Sequence, residues 1–247
     1  MEGSDFSGLL ERLFRKNGLE SFLQPATIEK FAAFTELLLS ANKEQNLTAI
    51  RDLPGIVGKH YADCLLCADL FPQGASVLDV GCGGGFPTIP LGIARPDLHL
   101  TAIDSTGKKV AFVARAAKEL GLEQIQTVCG RIEDAEFCRF REQFDVVTAR
   151  AVANLRVLSE LTLPFVKRGG RMIGMKGAQG EEELRDAREV ISKLGGEVER
   201  VEKRDLICVG EGETEEKETR TLILIRKIAK TPEKYPRAYA AIKKGFV

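Results

Sequence analysis

The chain has no tryptophan, only two histidines and no excess of either charge, because 36 Lys and Arg residues balance 36 Asp and Glu residues. A net charge of zero argues against a protein that coats nucleic acid over its whole surface and leaves room for a local basic patch. Aromatic residues are also scarce, at 6% of the chain, which indicates a core of helices and aliphatic strands.

Long hydrophobic runs are absent as well. No stretch reaches the roughly 18 to 20 apolar residues that span a bilayer, so we expect a cytoplasmic protein without membrane contact. The six cysteines lack a regular spacing and are expected to be reduced thiols. His60, Cys64 and Cys67 share one face of a predicted helix, but no second Cys or His pair could complete a zinc site, and no metal is expected.

A length of 247 residues suffices for one substantial core. Residues 1–70 are predicted to form a small helical cap, in which Pro54 opens the last helix toward residue 70. The apolar residues of the cap's main helix recur at helical spacing: Ile28, Phe31, Phe34 and Leu38. Residues 71–230 are predicted to form a Rossmann-like domain, and residues 231–247 a basic tail.

From residue 76 onward, short apolar runs alternate with helical segments, which indicates a mostly parallel sheet. Five of the runs are SVLDVGCG, HLTAID, IQTVCG, FDVVTAR and RMIGMKG, and GEVERVEKRDLICVGEGETEEKETRTLILI is predicted to form two further strands, the second of which continues through TRTLILIRKI. An acidic loop joins the last two, which therefore form an antiparallel hairpin at the sheet edge. This seven-stranded α/β architecture resembles the fold of class I methyltransferases that use S-adenosylmethionine.

A glycine-rich loop follows the first predicted strand, where such sheets bind ligands. Dinucleotide-binding loops have the pattern G-x-G-x-x-G, but here Phe86 occupies the third glycine position. The spacing of Gly81, Gly83 and Gly85, with Asp79 two residues before the first, instead resembles S-adenosylmethionine sites. Asp79 would supply a carboxylate near the cationic methionyl end of that cofactor.

Two further segments support the same cofactor. Strand two ends at Asp104, at the distance where nucleotide-binding sheets place an acid that accepts hydrogen bonds from ribose. After strand three, Ile132 and Glu133 occupy the segment that lines adenine in this fold. Glu133 could instead be an acid favoured by a helix dipole, but the three segments occur in the expected order.

The methyl acceptor is harder to infer. The chain has neither the Pro-Pro-aromatic run typical of enzymes acting on exocyclic amines nor the Pro-Cys nucleophile of enzymes acting on pyrimidine carbon. Strands four and five instead end near Arg150 and Lys176, two candidate positioning residues, and a ring nitrogen such as guanine N7 would need no general base. The catalytic residues stay open, as do three alternatives: a methyltransferase for small molecules or proteins, a nucleotide-dependent oxidoreductase, and a binding module.

Motifs along nearly the whole chain carry a more specific resemblance. They are NKEQNLTAI at 42–50, HYADCL at 60–65, DVGCGGGFPTIPLGIA, AIDSTGKKVAF, the segment 131–134, ARAVA at 149–153, MKG at 175–177 and TPEKYPR at 231–237. The combination resembles the rRNA small subunit methyltransferase G family, also called glucose-inhibited division protein B. Two features depart from the family pattern: Thr88 stands where glycine is common, and the tail lacks a Pro-Leu ending.

The resemblance implies methylation of guanine N7 in 16S rRNA, free or in a small-subunit particle, by a protein expected to be a monomer. It implies cofactor contacts by Gly81, Phe86, Ile132, Glu133 and Arg150. It also places the polar motifs near both ends of the chain, and the basic tail with them, near the RNA. The candidate substrate-binding residues are Asn46, His60, Arg150, Lys176 and Arg237.

Overall fold

A computed structural model describes residues 3–209 and 214–245 of the chain. The first part is helical, as the sequence predicts. Its elements are α1 (Gly3–Lys16), a 3-10 turn (Glu20–Phe22), α2 (Pro25–Gln45), α3 (Leu53–Gly55), a π-helical segment (Ile56–Ala62), α4 (Asp63–Leu65) and a second 3-10 turn (Ala68–Leu70). Pro25 lies in the first turn of α2, where a missing N–H leaves no helical hydrogen bond unmade.

A seven-stranded sheet follows, with the order β3-β2-β1-β4-β5-β7-β6. The strands are β1 (Ser76–Val80), β2 (His99–Asp104), β3 (Ile125–Cys129), β4 (Phe144–Arg150), β5 (Val166–Lys176), β6 (Gly196–Val209) and β7 (Glu215–Lys227). The first five are parallel, and β7 pairs antiparallel with both β5 and β6. The predicted parallel sheet and terminal hairpin are confirmed. The acidic connection is shorter than predicted, because β7 begins at Glu215 and includes residues 215–218, while residues 210–213 lie outside the described residues.

The connections between the strands are mainly helical. They comprise α5 (Thr88–Ala94), α6 (Gly107–Glu119), a 3-10 helix (Ala135–Phe140), α7 (Leu155–Thr162), a 3-10 turn (Leu163–Phe165) and α8 (Gly180–Lys193), and the tail carries α9 (Tyr239–Lys244). The chain leaves α6 through Gly121, which adopts the left-handed conformation with φ 63° that glycine favours at the end of a helix. None of the described helices combines the length and apolar character needed to cross a bilayer.

The stretch from residue 53 to residue 70 differs from the single helix that Pro54 suggested. Asp52 caps its start by accepting the Gly55 N–H at 2.7 Å, but the helix widens into the π segment and then breaks after Leu65. The π segment packs directly on β6, because a Cβ atom added to Gly58 would lie 2.9 Å from Cβ of Cys208. Local sequence periodicity carries no information about a contact with so distant a strand.

Apolar side chains from alternate strand positions fill the two faces of the sheet. Val77 of β1 and Leu222 of β7 belong to one core, which they share with the N-terminal helices, α5 and α6. Leu78 and Ile223, the next residues in each strand, belong to the other core, with α7, α8 and the tail. Because both faces of the sheet are apolar, both are covered by helices. The carboxyl ends of the parallel strands are the part of the sheet that stays accessible.

Candidate active site

The glycine-rich loop after β1 forms one wall of a cavity of about 510 Å³ at the carboxyl ends of β1, β2 and β4. Gly81 and Gly83 line this cavity and adopt positive φ angles of 78° and 54°. A Cβ atom at Gly81 would lie 2.6 Å from the Val152 side chain. The close approach therefore requires glycine at this position, and the backbone itself is presented to a ligand.

Asp104 lies at the end of β2 on the same cavity. One carboxylate oxygen accepts the Gly83 N–H at 3.0 Å, and the other accepts the Thr106 N–H at 2.8 Å. These bonds tie the glycine loop to the second strand and hold the carboxylate in place. Each oxygen keeps a further lone pair that can accept a hydrogen bond from a ligand hydroxyl.

Ile132 and Glu133, which the sequence assigned to an adenine-lining segment, form another part of the cavity wall. Ile132 is buried, and the Glu133 side chain is only 7% exposed. Arg131 lies 3.6 Å from the Glu133 carboxylate and reaches solvent. The segment therefore offers an apolar surface and a carboxylate side by side.

Asp79 and Gly85 do not line the cavity, although the sequence assigned both to the cofactor. Gly85 shapes the loop, since its φ is 92° and a Cβ atom there would lie 2.8 Å from Ile89. Asp79 is buried, and its Oδ2 accepts the Thr88 hydroxyl at 2.6 Å. Its Oδ1 is buried with no hydrogen-bond partner among the described residues. Burial raises the pKa of Asp79 to about 7, and the Thr88 hydrogen bond opposes that shift.

His60 and Arg150 meet at the opposite wall. The His60 ring stacks on Phe86 with centroids 4.2 Å apart, and its Nδ1 lies 2.6 Å from Nη2 of Arg150. Arginine can only donate, so Nδ1 accepts and the ring proton resides on Nε2, 2.7 Å from the Thr48 hydroxyl oxygen. Burial, with the nearby Arg150 charge as a second cause, lowers the pKa of His60 to about 3, and the ring is neutral.

A second cavity, of about 550 Å³, adjoins the first, and His60, Arg150, Ala151 and Val152 line both. Four cationic and two acidic side chains line the second cavity: Lys59, Arg150, Lys176, Arg220, Asp63 and Glu183. Lys176 is held there by the Glu183 carboxylate at 2.8 Å and the Ala153 carbonyl at 2.5 Å. The two positioning candidates of the sequence analysis, Arg150 and Lys176, thus share one compartment.

Asn46 and Arg237 lie outside the linings of both cavities. Asn46 ends α2 in the left-handed conformation and is exposed, one residue before the cavity-lining Leu47. Arg237 binds the buried Glu160 carboxylate through Nε at 2.8 Å and Nη2 at 2.7 Å. The tail residue that does line the first cavity, the candidate cofactor cavity, is Tyr239.

Thr48 and Tyr239 were not singled out in the sequence. Thr48 lies within the NLTAI motif, which was therefore an available signal, whereas a tyrosine in a basic tail carries no comparable signal.

His60, Cys64 and Cys67 do not form a group of possible metal ligands in the described part of the chain. All six cysteines are free thiols. The described residues include one group of three possible metal ligands, Cys208, Glu216 and Glu218, and both carboxylates lie within 3.5 Å of the Lys59 ammonium. His60 is outside that group, and both of its ring nitrogens are hydrogen-bonded within the cavity wall.

Solved structures with the same fold define the class. A precorrin-6y C5,15-methyltransferase from Geobacter metallireducens covers 74% of this chain and 92% of its own, with a TM-score of 0.51 at 14% identity. An O-methyltransferase from Bacillus cereus in complex with SAH covers 77% and 90%, with a TM-score of 0.50 at 19% identity. The sheet order, the hairpin and the position of the glycine loop identify a class I methyltransferase fold.

Comparison with related sequences then gives the family. The family model described as rRNA small subunit methyltransferase G matches residues 27–207. Proteins named ribosomal RNA small subunit methyltransferase G are similar along most of the chain. The one from Geobacillus sp. is 41% identical over 240 residues, 96% of this chain and 95% of its own. The one from Lactobacillus delbrueckii subsp. bulgaricus is 42% identical over 220 residues, 87% and 89%. The chain belongs to this family of S-adenosylmethionine-dependent rRNA methyltransferases.

The residues present fit that cofactor. Glycine backbone lines the loop where side chains would clash, and Asp104 presents a fixed carboxylate to a ribose. Buried Asp79 lies directly before the cavity-lining Val80, and its Oδ1 has no hydrogen-bond partner among the described residues.

Proposed function

We propose that the protein transfers the methyl group of S-adenosylmethionine to N7 of a guanine in 16S rRNA, free or within a small-subunit particle. The pair of adjoining cavities supports this proposal most directly. One has the features of a cofactor site, the other is lined by four cationic and two acidic side chains, and His60 and Arg150 line both. A base that enters the second cavity would lie next to the transferable methyl group.

The reaction is an in-line displacement, for which S-adenosylmethionine supplies an electrophilic methyl group. Guanine N7 has a free lone pair, so no proton has to be removed before attack. His60 is unsuited to act as a base, because Arg150 occupies Nδ1 and Nε2 carries the ring proton. The main task of the side chains is alignment and exclusion of water. We therefore assign Arg150 and Lys176 to positioning the base.

The charges around the second cavity suit an RNA substrate. Its four lining cations are paired with carboxylates, and these cations are the groups that can exchange a carboxylate for a phosphate flanking the target base. Lys234, Lys243 and Lys244 of the tail are exposed and can contact phosphates further away. We propose that Asn46 lies beside the RNA at the cavity edge. Arg237 would support RNA binding by holding the tail through Glu160.

We further propose that the protein acts as a monomer in the cytoplasm. Ile228 is the large hydrophobic side chain that stands exposed among the described residues, at 48%. A single exposed apolar side chain is normal for a monomeric surface and provides no extended apolar interface.

Incubation with labelled S-adenosylmethionine and small-subunit particles that lack the modification tests the function. One guanine should become labelled at N7, as read by nucleoside analysis of digested 16S rRNA. Fully modified particles are the control and should accept no label. Label found only in proteins or small metabolites would contradict the proposal and favour the alternative acceptor classes.

A further inference from the structure

The Thr48 hydroxyl accepts two hydrogen bonds through its oxygen, while its own proton has no acceptor among the described residues. Its oxygen accepts the Nε2 proton of His60 at 2.7 Å and the Ile50 N–H at 3.0 Å. Since a hydroxyl oxygen has two lone pairs, both acceptor positions are filled. The remaining capacity of Thr48 is its own hydroxyl proton, which makes this side chain a donor only.

The position of Thr48 directs that proton to a ligand. Thr48 lines the cofactor cavity, and the described residues offer its proton no acceptor. Its backbone is fixed, because Asn42 accepts the Thr48 N–H at 3.0 Å and donates to the Thr48 carbonyl at 2.8 Å. The neighbouring Leu47 packs on the glycine loop, where a Cβ atom at Gly84 would lie 3.3 Å from it.

A hydroxyl that can only donate bonds to those polar groups of the cofactor that can accept a hydrogen bond. The amino-acid portion of S-adenosylmethionine carries an ammonium group, which can only donate, and a carboxylate, which can only accept. Of these two groups, the Thr48 proton can bond only the carboxylate. The expected ribose and adenine contacts fall to Asp104 and to Ile132 and Glu133 on the same cavity. Thr48 lines the cofactor cavity but not the second cavity, so a guanine atom is the less suitable partner.

We infer that the Thr48 hydroxyl donates a hydrogen bond to the methionine carboxylate of S-adenosylmethionine. Arg150 and His60 are positioning residues in this arrangement. The Arg150 guanidinium fixes the His60 tautomer, and His60 in turn occupies the Thr48 oxygen so that its proton is available to the ligand. The inference rests on the proposed function only through the identity of the cofactor.

Calorimetric binding of two ligands to the full chain tests this contact. S-adenosylmethionine contains the carboxylate, and decarboxylated S-adenosylmethionine keeps the ammonium and the sulfonium without it. Thr48→Val removes the hydroxyl while preserving shape, and Thr48→Ser retains the hydroxyl as the matched control. We expect Thr48→Val to weaken S-adenosylmethionine binding roughly tenfold or more, the magnitude of a hydrogen bond to a charged group. Binding of the decarboxylated ligand should not change, and Thr48→Ser should stay within about threefold of the native protein for both.

Three results would overturn the inference. Equal weakening of both ligands would show that the valine disturbs the wall as a whole, and thermal denaturation would report the same disturbance. Unchanged binding of both would remove Thr48 from the cofactor site. Unchanged cofactor binding with a raised KM for ribosomal particles would assign the hydroxyl to the RNA. If the native protein binds S-adenosylmethionine but labels no guanine, the proposed function fails while the Thr48 contact stands.

Discussion

At the scale of a single residue, the buried Asp79 is expected to couple cofactor binding to pH. Burial raises its pKa to about 7 from the usual 3.8, so the carboxyl is largely protonated in the ligand-free protein below neutral pH. Asp79 lies behind the glycine loop rather than on the cavity, but the positive charge of a cofactor bound nearby still favours the ionised form. We therefore expect the affinity for S-adenosylmethionine, measured by calorimetry, to rise between about pH 6 and 8 and then to level off.

Asp79→Asn is the control for this titration, because it keeps the shape and cannot ionise. Its affinity should be lower and nearly independent of pH over the same range. The free energy of unfolding should respond in the opposite direction. The folded protein holds the Asp79 proton up to a higher pH than the unfolded chain does, so the contribution of Asp79 to stability decreases as the pH rises from 3.8 to about 7. An identical pH slope for Asp79→Asn and the native protein would remove Asp79 from the coupling.

The sequence could place individual residues on the cavity where local backbone geometry alone requires that residue type. Gly81 and Asp104 could be placed because a tight loop and a strand-end acid are local features. The hydrogen bond from Thr88 to Asp79 was beyond such reasoning, although the extra side chain beside the loop was noted. The orientation of Thr48 depends on which His60 nitrogen carries the proton, and only the approach of Arg150 decides that.

The π segment has consequences at the scale of elements. It carries His60 and lies against β6, with Gly58 at the point of contact. Gly58→Ala would push the segment and β6 apart, because the added Cβ atom would lie 2.9 Å from Cβ and 3.3 Å from Cα of Cys208. We expect a loss of about 1 to 3 kcal/mol of unfolding free energy. Weaker cofactor binding should accompany it, since His60 would shift with the segment.

Gly8→Ala is a matched control within α1, where an added Cβ atom would meet no atom within 4 Å. It should leave cofactor affinity unchanged and should stabilise the helix slightly, by at most about 1 kcal/mol. Denaturant unfolding and calorimetry of the two variants provide the comparison. Equal unfolding free energies of Gly58→Ala and the native protein would contradict this prediction and would show that β6 can shift without loss of stability.

Regular elements were predictable because their periodicity is local. The apolar run of β1 is buried on both faces of the sheet, and Val110 and Val113, one turn apart in α6, are buried together. The helix after Pro54 was predicted as one element but is interrupted, because its shape depends on packing against the hairpin. Prediction from sequence therefore failed where a distant strand, rather than local spacing, determines the backbone.

Several contacts join the parts of the molecule at the scale of the whole chain. Asp63, in the N-terminal helical part, binds Arg150 of β4 at 2.7 Å and Arg220 of β7 at 2.6 Å. Phe34 of α2 packs near Phe86 of the glycine loop, with ring centroids 5.8 Å apart. One continuous apolar core includes side chains from the N-terminal helices and from the sheet. The N-terminal helices thus complete one face of the core and one wall of the site.

Removal of residues 1–70 should therefore prevent cooperative folding of the remainder. Without them, Ile89 of α5, Phe112 of α6 and Leu224 of β7 would lose the apolar side chains that now bury them. The free-energy cost of exposing that much apolar surface exceeds the free energy of unfolding of a domain of this size. Residues 71–247 alone should show no sharp thermal transition and should bind an apolar dye. Co-expression with a separate 1–70 fragment should restore a folded, cofactor-binding complex, because the two apolar surfaces are complementary. A sharp transition and cofactor binding by residues 71–247 alone would show instead that the sheet and its remaining helices form an independent domain.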